Sequence, residues 1–259
     1  MTPGLFRYEA IALAGVPEIQ AGDDLAAAIA GALAASALEL APGDVLVVAQ
    51  KIVSKAEGRR VRLADVRPTA RADALAARVR KDPRLVELIL SESVRVVRAV
   101  PNVLIVEHRL GFVHANAGID QSNVAGDDGA EAALLLPLDP DASAARLRAG
   151  LAARTGSAPA VVINDSFGRP WRRGTVGVAI GAAGLPSWAD LRGLPDRHGR
   201  ALQSSELGHA DEIAAAGSLL MGQAAEGRPV VLLRGVVSPA RPALPAKAML
   251  RPAAEDLFR

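Results

Sequence analysis

The chain has 259 residues, 50% hydrophobic, 3% aromatic and 22% charged, a globular composition long enough for one large domain or two small ones. It has no cysteine, which excludes a disulfide scaffold, a zinc ribbon, an iron–sulfur site and a cysteine nucleophile. Thirty Lys and Arg against 28 Asp and Glu leave a net charge of +2, spread along the chain, so neither a nucleic-acid partner nor, with no run near the ~18 apolar residues of a span, a membrane is expected.

The first residues, Met1 to Ala14, carry Arg7 and Glu9 and lack a secretory apolar region; a cytoplasmic protein is expected. Tyr8 to Leu13 reads as a strand, broken by Gly15, Pro17 and Gly22. Asp23 and Asp24 open an alanine-rich helix to about Leu38. After the turn Pro42-Gly43-Asp44, the run Val45 to Ala49 has the pattern of a strand buried on both faces. Thr69 caps a predicted helix to about Arg80, and Asp82-Pro83 starts another to about Leu90. Val94 to Val97, Val103 to Val106 and Phe112 to Ala115 are predicted strands, and Gly126 to Glu131 a surface loop. Leu134 to Leu136 reads as a strand, Asp141 to Arg154 as a helix, and Ala160 to Ile163 and Val176 to Ile180 as buried strands. A helix from about His209 to Ala225 and a strand at Val230 to Leu233 follow. Residues 1-238 are taken as one domain and the proline-rich 239-259 as an extended arm or linker remnant. Strands and helices mix without strict alternation, so the expected class is α+β with mixed sheets.

Four stretches are polar beyond what packing explains. Gln50 to Gly58 leaves the end of a buried strand, where open sheets commonly bind ligands. Only four lysines exist, and two of them, Lys51 and Lys55, lie here, suited to phosphate oxygens and equally to a solvated loop. His114 to Asn123 gathers Asn116, Gly118, Asp120, Gln121, Ser122 and Asn123, a composition that fits a metal–phosphate site or an Asx-rich turn. Asn164 to Arg173 offers Asp165 and Ser166 as hard oxygen ligands and Arg169, Arg172 and Arg173 for anions. Trp171 in that stretch can pack against a planar ring or belong to the core. The fourth is a helix with Asp211 and Glu212 in its first turn, as the dipole favours, and Gln223 near its end. No phosphate loop, dinucleotide fingerprint, HExxH or GxSxG occurs. With four scattered histidines, a metal here would be a hard cation, Mg²⁺ or Mn²⁺, on oxygen ligands.

The runs GVPEI, VVAQKIVSKAEGR, GFVHANAGIDQSNV, NDSFGRPWRRGTVGVAIGAAG and ADEIAAAGSLLMGQAAEG, in that order over most of residues 9–236, resemble the coenzyme F420-0:L-glutamate ligases. The resemblance implies an α+β fold forming an intertwined homodimer, and a reaction that uses GTP as co-substrate. The carboxylate of coenzyme F420-0 is phosphorylated, and L-glutamate then attacks the acyl phosphate, releasing GDP and phosphate. It implies two divalent ions, with K⁺ a further candidate: Asp120 and Asp165 at the first, Ser166 and Gln223 at the second. GTP contacts are implied for Val16, Pro17, Glu18, Ile19, Gln50, Lys51, Lys55, Asn123, Met221, Gly222, Gln223, Ala224, Ala225, Glu226, Gly227 and Arg228. Catalytic side chains are not identified. The end, Arg251 to Arg259, resembles the junction to a flavin-binding domain in some relatives; a stand-alone ligase is expected. An amide ligase of this fold acting on another acid, or a non-catalytic nucleotide- or metal-binding protein, are the alternatives.

Overall fold

The computed structural model describes residues 6–122, 124 and 129–256. Strand β1 (Glu9–Ala12) leads to helix α1 (Leu25–Ala35), whose N-cap Asp24 accepts a hydrogen bond from the Ala27 amide. Strand β2 (Val45–Ala49) runs straight into helix α2 (Gln50–Ala56). The polar stretch after the strand is therefore helical, although its N-cap, Ala49, has no capping side chain. Strand β3 (Arg60–Arg62) precedes helices α3 (Ala70–Val79) and α4 (Pro83–Ser91), capped by Thr69 and Asp82 as their sequences predict. Strands β4 (Ser93–Val100), β5 (Val103–His108) and β6 (Val113–Ala115) form an antiparallel meander. Strand β7 (Ala132–Leu134) begins and ends two residues before the expected one. Helix α5 (Pro140–Thr155) is capped by Asp139. Strands β8 (Ala160–Gly168) and β9 (Thr175–Ala183) form a hairpin longer than either predicted run. The short ribbon of β10 (Ala189–Asp190) and β11 (Glu206–Leu207) carries no sequence signal. Helix α6 (His209–Met221) stops short of the expected Ala225 because Gly222 turns the backbone to φ +74, and strand β12 (Val230–Arg234) follows.

The main sheet has the order β1-β12-β2-β8-β9, parallel only between β2 and β8. The run VLVVA divides by strand alternation. Leu46 and Val48 face a core with Ile29, Val53, Leu147 and Leu151 from α1, α2 and α5. Val45 and Val47 face a second core with Ile213, Ala214 and Met221 from α6. The sheet is thus sandwiched between helices, which is why its strands read as continuous apolar runs. A Cβ at Gly177 would lie 2.6 Å from the Ala214 carbonyl oxygen, so glycine lets α6 close on β9. The β8–β9 ladder skips from the pair Ile163 and Gly181 to the pair Asn164 and Ala179. Ile180 is the extra residue of this bulge, a device that re-aims side chains beside it.

A second lobe packs α3 and α4 on β4 and β5 around Leu85, Ile89, Leu104 and Val106. The proline-rich end is not an extended arm in the described residues. Its Ala246 amide donates to Asp141 Oδ1 at 2.7 Å, Ser187 Oγ donates to the Pro245 carbonyl at 2.7 Å, and Ala246 is buried. Among the described residues no helix is long and apolar enough to cross a membrane.

Candidate functional site

Strand β8 does more than end beside the site, because its polar half is part of the strand. Alternation sends Asn164 toward α6, where Nδ2 lies 3.4 Å from Met221 Sδ. Asp165 and Phe167 point to the opposite face, where Phe167 packs edge-on against Phe112 and His114. Ser166 turns back to the α6 side, and its Oγ donates to Gln223 Oε1 at 2.9 Å. Neighbouring residues of one strand therefore serve two positions.

On the Asp165 face, Asp120 follows a turn in which Asn116, Ala117 and Gly118 are all left-handed. The Asp120 backbone pairs with Leu134, which fixes it beside β7. Gln50, buried at the start of α2, donates from Nε2 to Asp120 Oδ2 at 2.7 Å, while its Oε1 accepts from Ser54 Oγ at 2.9 Å. One turn of helix thus sets the amide's orientation. Lys51 Nζ lies 3.6 Å from Asp120 Oδ1 and donates to Ser122 Oγ at 3.2 Å. Burial raises the Asp120 carboxyl above its usual range despite Lys51 and Gln50.

Asp165 is the more perturbed group. Burial, reinforced by the negative charge of Asp120, pushes its carboxyl up to about 7. Its Oδ1 accepts from the Ser166 amide at 2.8 Å, but its buried Oδ2 has no hydrogen-bond donor among the described residues. His114 Nε2 stands 3.6 Å away. The other ring nitrogen, Nδ1, lies 2.7 Å from the Ala115 carbonyl, which can only accept, so the proton belongs on Nδ1 and a lone pair faces Asp165. Burial lowers the His114 pKa and favours that neutral ring.

Gln50, Lys51 and Asp165 border a cleft of about 560 Å³, lined by Val16–Ile19, Ala49–Ile52, Lys55, Asn164–Ser166 and Met221–Pro229, and Asp120 stands behind them through its contacts with Gln50 and Lys51. Every residue expected at the nucleotide except Asn123, which lies outside the described residues, is on this wall. Lys55 pairs with Glu18 across the mouth. Past Gly222 the chain folds around Glu226, whose carboxylate accepts from the Ala224 amide at 2.8 Å. Such backbone hydrogen bonds hold that carboxyl below its usual range, and they mark the loop as a place where amides gather round an anion.

Divalent cations fit the donor set. Two close carboxylates, one with an unpaired buried oxygen, supply the charge, and the Ser166 and Gln223 oxygens supply a neutral pair. Among the described residues no group of three or more His, Asp or Glu side chains could hold a metal. Mg²⁺ is commonly bound through one or two carboxylates, with phosphate and water completing its shell, so two carboxylates are a sufficient protein share.

The fourth stretch divides. Gln223 reaches the cleft, whereas Asp211 accepts from the Ala179 amide at 2.9 Å and ties α6 to β9. His114 and Thr175 are the neighbours that sequence reasoning left without a role. Thr175 Oγ1 lies 3.4 Å from Gln223 Oε1, a pairing across 48 positions that no local pattern signals.

Residues 15–235 match the family model described as F420-0:Gamma-glutamyl ligase. The chain is 47% identical over 251 residues, 96% of its length and 98% of the relative's, to the coenzyme F420:L-glutamate ligase of Methanothermobacter thermautotrophicus. The protein of that name from Methanopyrus kandleri is 43% identical, covering 93% of this chain and 94% of its own. The one from Halobacterium salinarum is 45% identical, with 87% and 86% covered.

Proposed function

The chain belongs to the F420-0:gamma-glutamyl ligase family, and we propose that it joins L-glutamate to the carboxylate of coenzyme F420-0 at the expense of GTP. The observation that carries this reading is the single cleft that combines cationic, carboxylate and amide-rich walls. An acid and an amine do not condense unaided in water, and phosphorylation of the carboxylate gives it a leaving group. The chain has no cysteine and no recognised serine nucleophile motif, so direct activation of the substrate is favoured over a covalent enzyme intermediate.

In the first step a carboxylate oxygen of F420-0 bonds to the γ-phosphorus of GTP, and the bond from that phosphorus to the β–γ bridging oxygen breaks, releasing GDP. In the second the glutamate amine bonds to the acyl carbon, the bond from that carbon to the phosphate oxygen breaks, and phosphate and a proton leave. Lys51 and Lys55 neutralise phosphate oxygens, and the 221–228 loop offers backbone amides to the nucleotide. Asp120 and Asp165 would hold one divalent ion, Mg²⁺ or Mn²⁺, and Ser166 with Gln223 the second. When bound, these ions supply positive charge at the transferring phosphoryl group. Gln50 orients Asp120, and His114, packed edge-on against Phe167, stands against Asp165.

A homodimer is part of the reading. Phe6, Tyr8, Leu219 and Val237 are exposed along an apolar groove between α6 and the segments that precede β1 and follow β12, which is the kind of surface a second copy covers. Light scattering at micromolar concentration checks it.

Mass spectrometry of F420-0 incubated with the chain, GTP, Mn²⁺ and glutamate tests the activity: a product heavier by glutamyl units is expected, and unchanged F420-0 overturns it. The route is tested with GTP carrying ¹⁸O in the β–γ bridge. With reversible transfer, positional exchange appears with F420-0 and without glutamate, and none appears with GTP alone. Exchange in GTP alone points to a phosphoenzyme. If transfer is irreversible, hydroxylamine traps the acyl phosphate, and failure of both removes the activated-carboxylate route.

A further inference from the structure

The turn that joins β8 to β9, Arg169 to Gly174, contains the most exposed large apolar side chain among the described residues. Trp171 is 93% exposed, although tryptophan is usually largely buried. Its backbone is left-handed at φ +64, a region that bulky residues rarely enter. Strain of this kind persists where something other than packing requires it. The side chains around the indole are cationic. Arg172 and Arg173 are exposed beside it, and Arg169 Nη2 braces the turn by donating to the Arg173 carbonyl at 3.3 Å. Arg169 Nε is shielded from solvent and has no acceptor among the described residues.

The base of the turn is fixed to the cleft. Ser166 Oγ and Thr175 Oγ1 both lie on Gln223 Oε1, at 2.9 and 3.4 Å. Strand β8 thus runs from Asp165 and Ser166 outward, and at ~3.3 Å per residue Gly168 stands about 7 Å beyond Ser166. A molecule whose reacting end reaches the carboxylates can have its far end against the turn.

We propose that the β8–β9 turn binds the acceptor. Trp171 stacks on a planar heteroaromatic ring system, and Arg169, Arg172 and Arg173 pair with anionic groups on the chain that carries the reacting carboxylate. The inference rests on the ligase reading above, whose acceptor, coenzyme F420-0, unites a planar chromophore with an acidic chain. The chemistry follows from the residues. An indole face presented to solvent favours a flat ring, and guanidinium forks match phosphate and carboxylate oxygens in pairs.

The test uses the full chain with F420-0 and GTP as separate probes. For Trp171→Ala the KM for F420-0 rises roughly tenfold or more, the scale of losing one stacked heterocycle. Trp171→Phe recovers most of it, and the KM for GTP stays within about twofold. Arg172→Ala combined with Arg173→Ala weakens the acceptor in a salt-sensitive way. An unchanged acceptor KM in both variants overturns the proposal. So does a rise confined to GTP, which would place guanine on Trp171, or a switch of Trp171→Ala to a monomer with both affinities lost, which would make the turn a subunit contact. If the unaltered chain forms no product, the ligase reading fails by itself. Calorimetry of F420-0 without glutamate then decides the turn, and equal affinity of the unaltered chain and Trp171→Ala overturns it.

Discussion

Glu92, between α4 and β4 in the second lobe, and Asp165, on the main sheet, are both enclosed carboxylates with ionisable neighbours, and their surroundings push them in opposite directions. Glu92 sits just past α4. Its Oε2 lies 2.9 Å from Arg59 Nη2, 3.0 Å from Arg109 Nε and 3.4 Å from His108 Nε2. Burial raises its carboxyl, but the close contacts of His108 and Arg59 and the hydrogen bond from Arg109 outweigh burial and hold it at about 2. Asp165 has a carboxylate and a neutral imidazole for neighbours and is pushed up to about 7. The first cluster contains its own counter-charge and joins β3, α4 and the β5–β6 turn. The second has an excess of negative charge and lone pairs, as a place for cations and phosphate requires.

Removing a carboxylate should therefore cost fold at one place and function at the other. Glu92→Ala leaves Arg59 buried without its counter-ion, and a loss of about 3–5 kcal/mol in unfolding free energy is expected. Turnover measured well below the melting temperature should survive. Denaturant unfolding that shifts by less than about 1 kcal/mol would reduce the cluster to a surface-like contact. Acid gives an independent reading. Glu92 stabilises the fold above its unfolded value near 4.5, and this contribution is lost as pH falls through the folded value of about 2. A loss of about 2–3 kcal/mol between those limits is expected in the native chain and absent in Glu92→Gln. Equal acid curves for both would remove Glu92 from that role.

Asp165→Asn has the opposite signature. The neutral amide needs no cation, so the melting temperature should hold or rise. Activity should fall by roughly 10²–10³, the scale of losing one charge-stabilising group at a reacting centre. Near-normal turnover at limiting Mn²⁺ would deny Asp165 a place at the metal.

The same contrast explains what was legible in the sequence. Helices α1, α3 and α4 announce themselves through Asp24, Thr69 and Asp82, because a cap is a local interaction, whereas α5 reads in the sequence from Asp141 onward and its cap is Asp139. Helix α2 has no such cap, and its polar face reads as loop. Asn164 to Gly168 looks like the residues after a strand because its polar side chains serve the cleft, but eight of the nine residues of β8, Val161 to Gly168, are held by pairing with β9. Asp165, Ser166, Lys51 and Lys55 stood out as polar groups at strand ends, which is a local signal. Gln223 had little to mark it, since its partners Ser166 and Thr175 are 57 and 48 positions away. The Glu92 cluster was silent for the same reason: Arg59 and Glu92 are ordinary surface residue types until the fold buries them together.

Lys55 offers the smallest effect and the closest comparison, because it has one foot in each kind of cluster. Its side chain is 17% exposed and pairs with Glu18, itself 72% exposed. If that pair were its whole purpose, Lys55→Ala and Glu18→Gln would each shift stability by less than about 1 kcal/mol and leave nucleotide binding alone. A lysine that serves phosphate behaves otherwise. Lys55→Ala should weaken GTP and GDP by about 1.5–3 kcal/mol, the range of a charge-assisted hydrogen bond, with the lower end expected because the nucleotide must draw the ammonium away from Glu18. Glu18→Gln should then act in the opposite direction, holding or tightening affinity, since the competing carboxylate charge is gone. Calorimetric titration of both variants with GTP decides the matter: opposite or unequal shifts assign Lys55 to the phosphates, and two unchanged affinities return it to Glu18.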